Sequence, residues 1–138
     1  MKKVLFMVLA CTLVLTTACG KKDEETNNKP AIEGEVANTN SEVIKDVTID
    51  GLTIQNVTVI YDSKTGDTIY SADVVNTTDE EIYVKSFDMK FMDVYGNEIT
   101  TLSGYVLKSL GPGEQATMTA GTGLNLSDAT SIEYTRNN

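Results

Sequence analysis

Residues 87–91 read Phe-Asp-Met-Lys-Phe, a strict alternation of large apolar and charged side chains. Successive side chains of a β-strand point to opposite faces of the sheet. The alternation therefore predicts a strand with one face in a core and the other in water. Phe87, Met89 and Phe91 are the predicted core face, and Asp88 and Lys90 the predicted solvent face.

The same period of two recurs on both sides of this strand, with turns about every eight to twelve residues. Changes of parity near residues 55–56 and at residues 85–86 predict β-bulges, because an inserted residue shifts the alternation. Turn-forming residues separate the apolar runs at 62–67, 95–97 and 110–113. We therefore predict an all-β domain over residues 46–138, an immunoglobulin-like antiparallel β-sandwich of about seven strands.

The N-terminus has a composition of its own. Two lysines precede an apolar run over residues 4–15, and the small residues Thr17 and Ala18 follow. A positive start, a short apolar run and small residues together form a secretory signal peptide, which we predict over residues 1–18. A transmembrane anchor is less favoured, because crossing a bilayer takes about 20 apolar residues.

Residues 15–20 read Leu-Thr-Thr-Ala-Cys-Gly, which resembles the lipobox of bacterial lipoproteins, although Thr16 stands where Leu is most common. The resemblance implies cleavage between Ala18 and Cys19 and a diacylglyceryl group on the Cys19 sulfur. Such a group would anchor the chain at the extracytoplasmic face of the cell membrane, since two acyl chains suffice for stable attachment. Cys11 is the alternative lipid-bearing residue, but it leaves an apolar run of only about seven residues.

The predicted mature chain is strongly acidic. Loss of residues 1–18 removes two of the 11 basic residues and none of the 20 acidic ones, which leaves a net charge near −11. That charge argues against nucleic acid as a partner. Residues 19–45 contain no aromatic side chain and are rich in polar and charged ones. They predict a flexible tether that spans roughly 25–30 Å between membrane and domain.

Four separated places in the domain resemble the FxLYD domain family. The matching stretches read Asp-Val-Val-Asn-Thr-Thr at 73–78, Met-Lys-Phe-Met-Asp at 89–93, Gly-Asn-Glu-Ile at 96–99 and Leu-Gly-Pro-Gly-Glu at 110–114. In the central Phe-x-Leu-Tyr-Asp signature only Asp93 is identical, since Met89 replaces Phe and Met92 replaces Tyr. The resemblance implies an extracytoplasmic immunoglobulin-like sandwich, often found on lipoproteins of Gram-positive bacteria, with no defined activity.

Few catalytic groups are available to this chain. It contains no His, and Cys19 is the only Cys of the predicted mature chain. Triads built on His and zinc sites built on His are therefore excluded. The acidic turns at 62–67 and 93–98 contain calcium-ligand residues, but turns select Asp, Asn and Gly for backbone reasons as well. We predict a non-enzymatic binding module without cofactor or metal. A cation-dependent or carboxylate-based accessory of an envelope enzyme is the alternative.

Two stretches, residues 99–107 and 115–127, carry no charge at all. The centres of protein interfaces favour aromatic residues and few charges, and loops on a rigid scaffold are common recognition sites. The favoured interpretation is that both stretches are core strands and that Leu124 and Leu126 close the end of the sandwich. The competing hypothesis is that Tyr105, Leu124 and Leu126 form one exposed patch that meets another cell-envelope protein.

Overall fold

A computed structural model describes residues 33–138 of the 138-residue chain. The predicted signal peptide and Cys19 lie outside the described residues. The described part contains one single-turn helix and eight strands: β1 (Glu35–Ala37), α1 (Ser41–Ile44), β2 (Val47–Ile49), β3 (Leu52–Asp62), β4 (Asp67–Asn76), β5 (Ile82–Met92), β6 (Glu98–Leu110), β7 (Gln115–Thr122) and β8 (Ser131–Asn137). None of its helical residues forms a segment long and apolar enough to cross a bilayer.

The strands pair antiparallel in two sheets. The first sheet has the order β1-β3-β4-β7, and β2 pairs with the other half of β3; the second has the order β6-β5-β8. The predicted all-β, immunoglobulin-like sandwich is confirmed. The count in the described part is eight rather than about seven, because the two short strands β1 and β2 share β3 as their partner.

The core lies between the two sheets, and the predicted core face of β5 is confirmed. Phe87, Met89 and Phe91 are all fully buried. The edge of the Tyr70 ring, from the first sheet, meets the Phe91 ring with centroids 6.2 Å apart. The hydroxyls of Tyr70 and Tyr134 lie 3.0 Å apart. Burial raises the pKa of Tyr70 and raises the pKa of Tyr134 to about 12. The shared hydrogen bond gives each of the two hydroxyls a partner across the sandwich.

Both predicted changes of parity are irregularities in strand pairing. The β3–β4 register shifts between Gln55 and Thr58, where Asn56 takes a φ of 53°. The β5–β6 register shifts between Val84 and Ser86. Such bulges change the direction in which side chains point, so the apolar residues before and after the bulge can face the same core.

The tether prediction is wrong for residues 34–45, which belong to the domain: residues 34–138 form one compact unit. Val43 of α1 is 1% exposed, and α1 contacts both β3 and β8. The helix therefore closes the side of the sandwich between these strands. Asn38 is 4% exposed and donates from Nδ2 to the backbone carbonyls of Leu126 and Ala129, at 2.9 and 2.8 Å. One buried apolar side chain and one buried amide thus hold an otherwise polar segment on the domain.

Candidate binding surface

The three residues of the predicted patch differ in burial. Leu126 is fully buried, so its predicted exposure is wrong, whereas Leu124 is 46% and Tyr105 59% exposed. The buried Thr68 hydroxyl explains this difference. It donates to the Leu124 carbonyl at 2.6 Å and accepts the Leu126 N–H at 3.2 Å. Together with Asn38, this hydroxyl holds the β7–β8 loop so that Leu126 points into the core.

Tyr105 and Leu124 also lie at different levels along the sandwich. Gly104, the neighbour of Tyr105, packs against Met118 of β7. Met118 lies four residues before Thr122, where β7 ends, and four strand residues cover about 13 Å. Leu124 lies beyond that end. The predicted single patch is therefore not formed.

A different apolar group surrounds Tyr105 on the outer face of the second sheet. Tyr83 of β5 is 55% exposed, and Tyr105 and Leu107 of β6 are each 59% exposed. Gly104 packs against the first sheet, so Tyr105 next to it points outward. Tyr83 points outward for the same reason, since its neighbours pack on the core. Leu107 lies in the irregular part of the β5–β6 pairing and is exposed there. We call Tyr83, Tyr105 and Leu107 the outer tyrosine face.

These three residues lie along the β5–β6 strand pair, in the bulge and on either side of it. Tyr83 pairs with Ser109, and Tyr105 pairs with Ser86. Leu107 lies in the register shift between these pairs and takes a φ of 55°. A left-handed conformation costs a bulky residue about 1–2 kcal/mol. Packing elsewhere in the sandwich must offset that cost, and the result is an exposed leucine beside two exposed tyrosines.

One lysine, Lys85, borders the outer tyrosine face, opposite the bulge. Lys108 pairs with the core residue Val84 and therefore lies on the other side of β6. Within residues 33–138, neither lysine lies at ion-pair distance from an acidic side chain, whereas Lys45, Lys90 and Arg136 each pair with one. The Lys85 ammonium instead lies 3.4 Å from the Asn138 backbone oxygen. An otherwise acidic domain therefore has positive charge at the border of its exposed aromatic surface.

Elsewhere on this sheet's outer face, polar side chains pair with each other. Ser103 donates to the Asp88 carboxylate at 2.6 Å, and this bond lowers the pKa of Asp88. Lys90 and Glu133 form an ion pair at 2.6 Å. The outer face thus divides into one region whose polar groups bind each other and one whose apolar groups face solvent.

The two acidic turns use their carboxylates to bind their own backbone. Asp93 accepts the N–H groups of Tyr95 and Asn97, each at 2.9 Å, and the bond from Asn97 lowers its pKa. Asp62 accepts the N–H of Lys64 at 2.8 Å. These are the hydrogen bonds by which Asp stabilises turns. In the described part of the chain, no three acidic, His or Cys side chains are grouped to hold a metal ion.

Sequence reasoning named Tyr105 but missed its two companions. A signal for Tyr83 was present, because Ile82 and Val84 on either side of it are both apolar and predict that it points outward. Leu107 had no such signal, since its position depends on the bulge. Ala18 and Cys19, the predicted cleavage and lipid sites, lie outside the described residues.

No protein-family model matches the chain, and comparison with curated proteins and with solved structures gives no match either.

Proposed function

We propose that the protein is a lipid-anchored, extracytoplasmic lipoprotein that acts as a non-enzymatic binding module of the cell envelope. The observation that carries this proposal is the outer tyrosine face, where three large side chains are each more than half exposed. Contiguous exposed apolar patches mark interaction sites, and we take these three side chains as one such patch. Tyrosine also contributes strongly to binding where a partner excludes water from it.

Another cell-envelope protein is the proposed partner. Its contact surface would be apolar at the centre, to cover Tyr83, Tyr105 and Leu107. It would carry acidic groups at the edge that Lys85 borders, since complementary charge at a rim steers association. The resemblance to the FxLYD family supports an extracytoplasmic location and adds no activity.

The proposed membrane attachment is the diacylglyceryl group on Cys19, supported by the lipobox-like residues 15–20. Because the domain begins at Gly34, only residues 19–33 remain to link it to the membrane. Their fully extended length is at most about 50 Å. The partner surface must therefore lie no farther from the bilayer than the sum of that length and the length of the domain.

In-cell photo-crosslinking tests the proposed binding surface. A photoreactive phenylalanine analogue replaces Tyr105 in the full-length chain, and the same analogue replaces Tyr95 as a matched control. Tyr95 is 85% exposed but lies on the β5–β6 turn, away from the outer tyrosine face. We expect a discrete crosslinked product from position 105 and none of that mass from position 95.

A second pair of variants separates binding from folding. In both variants the photoreactive probe is at position 83. Tyr105→Ser should abolish crosslinking to the partner and leave the melting temperature unchanged. Tyr95→Ser should leave both the crosslinking and the melting temperature unchanged. Equal crosslinking from positions 95 and 105 would contradict the proposal. So would a loss of partner recovery that occurs only together with a drop in melting temperature.

A further inference from the structure

A shallow groove of about 310 Å³ lies on the outer face of the first sheet, where β1, β3 and β4 meet. Ile60 and Ile69 supply its apolar lining, and the side chains of Glu35, Asp62 and Asp67 supply its charge. We call it the acid-rimmed groove. It lies on the opposite outer surface of the sandwich from the outer tyrosine face, so any ligand it binds goes beyond the proposed function.

The strand register explains this arrangement. Asp62 pairs with Glu35 on one side and with Asp67 on the other, so three carboxylates lie in one row across three strands. Directly opposed residues have Cβ atoms about 4.5–5.5 Å apart, and like charges at that distance destabilise a sheet. Within residues 33–138, none of the three carboxylates forms an ion pair. The row thus holds three carboxylates and no basic residue, although the Lys64 side chain lies close to Gly34, the neighbour of Glu35.

The next row along the strands is apolar. Ile60 pairs with Ile69, with Ala37 on one side and Gly121 on the other. A Cβ atom at Gly121 would lie 3.3 Å from the Ile69 Cδ1 atom, so a larger residue there would crowd the isoleucine. The small residues at both ends leave the two isoleucines accessible, and Ile69 is 53% exposed. An apolar row thus lies directly beside an anionic row.

We propose that the acid-rimmed groove binds a lysine or arginine side chain from a basic segment of a partner protein. Such a side chain has an apolar stem and a cationic head, and it can place them on adjacent apolar and charged surfaces. The stem would lie along Ile60 and Ile69. The head would lie among the three carboxylates and offset their mutual repulsion.

Size and charge both favour this occupant over others. Pockets for whole small molecules start at about 300 Å³ and bury most of the ligand, whereas this groove is at that lower limit and is open. Two of its lining residues are isoleucines, which offer no ligand atom to a bare cation. The net charge of −9 for the whole chain attracts a basic segment from a distance.

Titration of the mature chain with the peptide acetyl-Gly-Lys-Gly-Lys-Gly tests the proposal. Methyl NMR of isoleucine reports the binding site, and the same peptide with acetylated lysines is the uncharged control. We expect the Ile60 and Ile69 methyl signals to shift with the lysine peptide and not with the acetylated one. Because salt shortens the Debye length from about 10 Å at 0.1 M to 3 Å at 1 M, the affinity should fall at least about tenfold over that range.

Variants separate the groove from general electrostatic attraction. The double variant Glu35→Gln with Asp67→Asn should weaken binding at least tenfold without lowering the melting temperature, since it removes opposed like charges. Asp79→Asn removes an acidic side chain from the β4–β5 loop and should weaken binding less than twofold. Equal weakening in the two cases, or shifts spread over isoleucines outside the groove, would overturn the proposal.

Discussion

Replacing Asn38 with Ala removes both hydrogen bonds that join the N-terminal segment to the β7–β8 loop. The amide of this 4% exposed residue donates to the carbonyls of Leu126 and Ala129 at 2.9 and 2.8 Å. A buried carbonyl left without its donor costs about 1–3 kcal/mol. Partial access of water to the opened site lowers the sum, so we expect Asn38→Ala to reduce the free energy of unfolding by about 2–4 kcal/mol.

Urea unfolding of the mature chain, followed by circular dichroism, measures this loss. For a domain of this size, each 1 kcal/mol lost from the free energy of unfolding lowers the melting temperature by about 4–8 °C. The melting temperature should therefore drop by at least about 8 °C. Asn40→Ala is the matched control in the same segment. Asn40 caps the single-turn helix by accepting the N–H of Glu42 at 2.9 Å. Its loss should cost only about 1 kcal/mol, the usual value for an N-cap.

Asn38→Asp sharpens the test. It keeps the side-chain size and the oxygen that accepts the Asn40 N–H at 2.9 Å. It also places a carboxylate oxygen, rather than a donor, against two carbonyl oxygens. At neutral pH, Asn38→Asp should therefore lower the free energy of unfolding at least as much as Asn38→Ala does. If both variants cost under about 0.5 kcal/mol, like ordinary surface changes, the segment does not hold the loop and the assignment of residues 34–45 to the domain fails.

Three further outcomes test the core, a close contact and a turn. Phe91→Ala should cost about 3–5 kcal/mol in urea unfolding, and a loss under about 1 kcal/mol would place that face outside the core. Gly104→Ala would put a Cβ atom 2.4 Å from the Met118 Cγ atom, so we expect a loss of about 1–3 kcal/mol, with a smaller loss when Met118→Ala is present. The hydrogen bond from Asn97 lowers the pKa of Asp93 in the folded protein. The ionised Asp93 carboxylate therefore stabilises the turn fully above the unfolded pKa of about 3.9, and this stabilisation is lost as the pH falls through the lower folded pKa. Asp93→Ala should flatten the acid limb of the stability–pH curve, and an unchanged limb would contradict this account.

The strands are predictable from the sequence because burial there follows a period of two. Phe87, Met89 and Phe91 alternate with charged residues, and all three are fully buried. The parity changes near residues 55–56 and at 85–86 locate two of the three register shifts in the described strand pairs, because a shift in alternation requires one; the third lies between Phe91 and Met92. Local pattern and tertiary structure agree wherever one face of a strand meets the core.

Residues 34–45 are not predictable in this way, because their attachment depends on single residues in polar surroundings. Asn38 resembles any tether asparagine until its partners are known, and these lie 88 and 91 residues further along the chain. Val43 is one apolar side chain in a helix of four residues, too short for a period to show. Long-range hydrogen bonds of this kind have no local signature in composition.

In the candidate binding surface, too, some features follow from the local sequence pattern and others depend on distant residues. The exposure of Tyr105 follows from its position in a strand, but its grouping with Tyr83 and Leu107 depends on the register across the β5–β6 bulge. The burial of Leu126 depends on the Thr68 hydroxyl, which lies 58 residues earlier. Alternation predicts which way a side chain points, whereas its neighbours depend on how distant strands align.

The proposed lipid anchor is tested most directly by mass spectrometry of the protein extracted from cell membranes. We predict an N-terminal peptide that begins at Cys19 and carries a thioether-linked diacylglyceryl group. Cys11→Ala should leave this peptide unchanged, whereas Cys19→Ala should abolish the modification and leave residues 1–18 uncleaved. An unmodified Cys19 in the extracted protein, or lipid attached to Cys11, would contradict the account.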